Sequence, residues 1–126
     1  AAGSEEAEQA AEAARVLCLA HDFISLEVEA LALLGWLRAT RGALAEASAA
    51  VDAASARLNA DVTVERPAAV RMLLARSYER LGAPEDAARA WEAARDAVVG
   101  QSERVRGEAA RERFRATTDV AELLAR

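Results

Sequence analysis

The residues able to do chemistry are few, and their spacing serves it poorly. Cys18 and His21, the one cysteine and the one histidine, stand three apart on a stretch that reads as helix, the spacing of half a zinc site. No second pair exists to complete a tetrahedron, and a Cys–His nucleophile needs a third group to orient it. These positions read instead as a small core residue and a cation near a helix C-terminus. Glu8 and Glu12 share a helix face as an acid–base pair would, but the polar side of any amphipathic helix carries such glutamates. The glycines at 3, 35, 42, 82, 100 and 107 form no phosphate-cradling loop. All 16 basic residues are arginine, so Schiff-base and P-loop lysine chemistry are excluded. The expectation is no enzyme, no metal and no cofactor. Arg76 and Arg80, at i and i+4, are better placed for recognition: two guanidinium forks that carboxylates on a partner could accept.

The elements that must position these groups are helices. Of 126 residues, 35 are alanine and only two are proline, which favours helix throughout and leaves few bulky side chains for a thin core. The length suits one domain, taken as residues 1–126. Net charge is −5, which argues against a dedicated nucleic-acid or anionic-membrane surface, and no apolar run is long enough to span a bilayer. Charge is uneven: residues 1–30 hold seven acids and one arginine, while Arg104, Arg106, Arg111, Arg113 and Arg115 crowd the end among interleaved glutamates. A lone cysteine points to an intracellular, cytoplasmic setting. The start at Ala1, without Met or a signal-like segment, reads as an excised piece of a longer array.

An internal repeat organises the chain. Ala47, Val51 and Ala54 recur forty residues later as Ala87, Trp91 and Ala94, and forty residues earlier as Ala7, Ala11 and Ala14. Gly42 and Gly82 stand five before the second and third triplets, and Leu34 and Leu74 eight before those glycines. The glycines stop one helix before the next begins. About six helices follow: Ser4 to Ala20; Ile24 to Arg41, with Leu26, Ala30, Leu33, Leu34 and Leu37 on one face; Ala43 to Leu58; Pro67 to Leu81; Pro84 to just before Gly100; and one capped by Ser102 and reaching Ala116. Thr118-Asp119 restarts a short helix to Leu124. Val62-Thr63-Val64, in the long connection, is the one strand-like run. The units are a half at 4–22, a hairpin at 24–58, a loop at 59–66, a hairpin at 67–99 and a half at 102–125.

Leu74-Ala75, Tyr78, Gly82, Ala87, Trp91 and Ala94, with Leu34-Gly35, Gly42, Ala47 and Ala54 before them, resemble the tetratricopeptide repeat. The period of forty residues is longer than that family's, Arg38 and Val51 replace two aromatics, and Arg71 stands where a large apolar residue is common. The resemblance implies an all-α, right-handed superhelix of antiparallel hairpins. The Ala-, Arg- and Leu-rich composition is similar to the sensor arrays of large bacterial ATP-dependent transcription regulators. It implies a non-catalytic scaffold binding a protein or peptide, with first helices lining the concave side. Trp36, Thr40, Arg41, Arg76, Glu79 and Arg80 are the partner-binding residues expected there. The alternative is an oligomerisation domain, a homo-oligomer assembled through unpaired terminal helices.

Overall fold

Two glycines set the architecture. Gly42 and Gly82 adopt left-handed backbone, with φ of 86° and 71°, a conformation closed to most other residues. At each, the glycine N–H donates to the carbonyl three back (Ala39, 3.2 Å; Glu79, 3.2 Å), and the next residue donates to the carbonyl five back (Ala43 to Arg38, 2.9 Å; Ala83 to Tyr78, 3.0 Å). The same pair of bonds thus recurs forty residues apart, and each closes a helix where the sequence places its stop.

The computed structural model describes residues 2–20, 23–60, 62–104, 107–116 and 118–126. Among these the chain is all-α: α1 (Ala2–Ala20), α2 (Ile24–Arg41), α3 (Leu44–Asn59), α4 (Pro67–Arg80), α5 (Pro84–Arg104), α6 (Glu108–Arg115) and α7 (Thr118–Leu124). No described helix is long and apolar enough to cross a membrane. Pro67 occupies the first turn of α4, where its missing N–H has no partner to lose. Val62-Thr63-Val64 forms no strand; Val64 plugs the core at 6% exposure, which is what its apolar character serves.

Helices α2 and α3 form one hairpin and α4 and α5 another; α1 packs on α2, and α2 on α4. The repeated small residues sit at the contacts: Ala47, Val51, Ala54 and Ala94 are fully buried and Ala87 nearly so. In α1 only Ala11 of the triplet is buried, while Ala7 and Ala14 are exposed, because α1 lies against one helix and α3 lies between two. Neighbours on three sides also split the face expected of α2. Leu34 and Ala30 are buried, but Leu26 and Leu33 are 48% and 40% exposed, and Val28, Leu31 and Ala32 take their place in the core.

The chain departs from its sequence pattern near the C-terminus. α5 does not stop before Gly100 but runs through it to Arg104, so Ser102 lies inside α5 instead of capping the next helix. Gly100 has no left-handed twist, and the cost of a mid-helix glycine, about 1 kcal/mol, is offset by burial of Val98 two residues earlier. The turn falls at Gly107, with φ of 84°, and α6 starts at Glu108. Val120 and Leu123 of α7 complete a second small core with Ala68, Met72, Ala94 and Val98. Tyr78 is buried; Trp91 is only half-buried, its ring covered by the Arg126 guanidinium 3.6 Å from the centroid.

Candidate functional site

Spacing along α2 and α4 builds a groove. Leu26, Glu29, Leu33, Trp36 and Thr40 follow one another at steps of three and four on α2, and Ala69, Leu73, Arg76 and Arg80 do so on α4, so each set forms one stripe. The N-terminal halves of the two stripes line a common groove of about 420 Å³, closed on its far side by Ala11, Ala14 and Cys18 of α1. Toward the other end, the Arg80 guanidinium lies over the Trp36 ring at 5.8 Å. With early residues facing early ones and late facing late, α2 and α4 run side by side in the same direction.

The groove is apolar. Its floor is Ala11, Cys18, Ala30 and Val70, all under a tenth exposed, and its lips are the half-exposed Leu26 and Leu33 with Leu73 opposite. Two charged residues break this surface, Arg66 and Glu29, and Glu29 Oε1 is buried without a hydrogen-bond partner. A carboxylate oxygen so placed favours a donor entering from outside, since an unmatched buried acceptor costs about 1–3 kcal/mol. Cys18 sits in the floor as a small side chain, and His21 lies outside the described residues. Among the described residues no group of three His, Cys, Asp or Glu is placed to hold a metal.

The residues expected to bind a partner do not gather in one place. Trp36 and Arg80 meet, as above. The Thr40 hydroxyl donates back to Leu37 O at 2.9 Å, within its own helix. Arg41 turns toward α1 and donates to both oxygens of Glu8 at 2.8 Å, with Glu46 at 3.5 Å. Arg76 donates to both oxygens of Glu122 at 3.0 Å and lies 5.9 Å over Trp91, and Glu79 faces Arg126 at 4.0 Å. Arg41, Arg76 and Glu79 therefore tie helices together within the chain.

The Glu8–Glu12 pair has the electrostatics of a staple, not of an acid–base couple. Hydrogen bonds from Arg41, joined by Arg38, hold the Glu8 carboxyl below the usual carboxylate range; Arg15, with Arg38, does the same for Glu12. Both stay ionised, whereas a general acid needs its pKa raised.

Sequence reasoning missed the groove itself. The signal was available: Leu33, Glu29 and Leu26 lie three, seven and ten residues before Trp36, on the stripe that Trp36 was already chosen from. Leu26 and Leu33 read as part of the apolar face of the helix because leucine in a helix usually faces the core. Compared with known proteins, the chain matches no family model, no curated protein and no solved structure.

Proposed function

We propose that this chain is a non-catalytic protein- or peptide-interaction scaffold on the tetratricopeptide-like plan, serving as the cytoplasmic sensor or partner-binding region of a bacterial signalling or transcription regulator. The observation that carries the reading is the apolar groove between the parallel helices α2 and α4, with Leu26 and Leu33 half-exposed at its lips. Exposed apolar lining with a few convergent polar groups is the usual make-up of a recognition cleft. The forty-residue recurrence of the helix-stop bonds supports the repeat plan, and in such an array successive first helices share one concave side. A bound peptide lays apolar side chains against Leu33 and Leu73 and offers a donor to Glu29; Trp36 and Arg80 form the polar end of the same track.

The test is a peptide selection by display on the wild-type chain, followed by titration of a selected peptide in a Trp91→Phe background, where Trp36 is the reporter. Leu33→Asp and Leu73→Asp should weaken binding about tenfold or more without lowering the melting temperature by more than a few degrees. Undiminished affinity in both variants overturns the groove assignment. An Arg80→Ala variant separates the polar end from the apolar one.

A second reading, self-association through terminal helices, has its own support. Val16 and Leu17 are 52% and 57% exposed on the outer side of α1. Light scattering at high micromolar concentration decides it: a strict monomer ends this reading and leaves the first intact.

A further inference from the structure

On the opposite side of α4 from the groove, α3, α4 and α5 frame a partly open cavity of about 170 Å³ with both polar and apolar lining. Its bottom is apolar, formed by the buried Leu58 and Leu74. Its wall carries Ser55, Asn59, Arg71, Tyr78, Asp86 and Arg89. Arg71 is the residue that breaks the apolar repeat pattern of its helix, and nothing in the groove accounts for it.

The polar groups divide into those already committed and those left over. Tyr78 donates its hydroxyl proton to Asp52 Oδ1 at 3.2 Å, so the 2.9 Å contact between Ser55 and Tyr78 is made with the Ser55 proton. Asp52 also accepts from Ser48. Asp86 is taken by Arg89. Arg71 is half-buried and, among the described residues, has neither a hydrogen bond nor an ion pair. What remains is the Arg71 guanidinium, the Asn59 amide and the N–H groups of Arg89 that Asp86 does not use, so two guanidinium charges share the lining with the single carboxylate of Asp86.

We infer that this cavity is a binding site for a small oxyanion, a phosphate or the phosphoryl group of a small monoester, held by Arg71 with Asn59 and Arg89. A planar guanidinium with five donors matches two oxygens of such an anion at once, and partial burial strengthens the pairing relative to open surface. The cavity volume, about that of six water molecules at ~30 Å³ each, admits one tetrahedral anion and excludes a peptide helix. The site stands apart from the groove, so neither assignment depends on the other.

The experiment titrates the full chain with inorganic phosphate, sulfate and phenyl phosphate at constant ionic strength, following melting temperature and calorimetric heat. Saturable stabilisation by phosphate is expected in the wild type. In Arg71→Leu, which restores the apolar residue usual at this repeat position, the half-saturating concentration should rise about tenfold or more. Arg71→Gln serves the same purpose if the leucine variant fails to fold, and Asn59→Ala should give a smaller loss. Tighter binding of phenyl phosphate than of phosphate identifies a monoester as the ligand; the reverse order identifies the free ion. Equal responses in the wild type and the Arg71 variants, or no saturable response to any of the three anions, overturn the inference.

Discussion

Gly35 on α2 faces Val51 on α3 so closely that a Cβ built on the glycine would lie 2.3 Å from Val51 Cγ2. Both residues are buried, and the glycine is there for the approach it permits, since its backbone is ordinary helix. The forty-residue counterparts are Ala75 and Trp91, so the second hairpin uses a methyl and a partly exposed indole where the first uses a hydrogen and a valine.

Gly35→Ala should therefore destabilise the chain. Overpacking of this kind costs about 1–3 kcal/mol, and alanine's better helix propensity returns about 1 kcal/mol of it. A net loss of up to about 2 kcal/mol is expected in urea unfolding. Adding Val51→Ala vacates the clashing methyl, so the double variant should show positive coupling relative to the two singles. Simple additivity would mean that the strain is absorbed elsewhere.

Tyr78 makes a second test at the same level. Tyr78→Phe removes a donor from Asp52 and a partner from Ser55, at a cost of about 1–2 kcal/mol. Burial holds the phenol above its ordinary pKa, and the charge of Asp52 adds to this against the hydrogen bond from Ser55. The folded state then has the higher pKa. Its stabilisation is complete below the ordinary phenol range and is lost as pH rises through the folded value. Because the chain has one tyrosine, alkaline absorbance reports it directly. Ionisation of the folded protein at the free-tyrosine value would contradict the burial argument.

These contacts explain why most of the fold could be read in advance. Glycine at a helix end and alanine at a contact are local signals, and Gly42, Gly82, Ala47, Ala54, Ala87 and Ala94 all do what their types dictate. Pro67 marks its helix start in the same way. Gly100 misleads because a glycine that must turn and a glycine that merely tolerates a helix look alike; burial of Val98 decides between them, and burial is a tertiary property. The site was less legible for a related reason. Arg41, Arg76 and Glu79 have the right chemistry for recognition, yet Glu8, Glu122 and Arg126 reach them from helices far away in sequence. Conversely, Leu26 and Leu33 have a core residue's chemistry and lie at a surface because α1 and α4 leave a gap between them.

The staple between α1 and α2 predicts an acid response. Arg41 and Arg38 hold Glu8 below its usual pKa, and Arg15 holds Glu12 below its own. With the folded values depressed, the stabilisation is present above the unfolded carboxylate pKa and is lost as pH falls through the folded value. Glu8→Gln should be less stable than the wild type near neutral pH, and the gap should close in strong acid, where both chains carry a neutral side chain. High salt should narrow it too, since the Arg41 end is exposed. A gap that persists unchanged in acid would assign the effect to packing instead of charge.

Leu123 decides whether α7 is a structural part of the domain. Seven residues cannot hold a helix alone in water, so α7 exists because Leu123 and Val120 are buried against Ala68, Met72, Ala94 and Val98. Leu123→Ala should cost about 2–5 kcal/mol if α7 stays docked, because a cavity is left behind. If the weakened helix detaches instead, the loss is capped at the free energy of docking, and Arg126 leaves the Trp91 ring it covers at 3.6 Å. Trp91 emission in a Trp36→Phe background distinguishes the two, shifting to longer wavelength in native buffer only on detachment. Leu124, 38% exposed one residue on, is the control: Leu124→Ala should change stability by less than about 0.5 kcal/mol. Equal losses at 123 and 124 would mean that α7 does not dock through the face described.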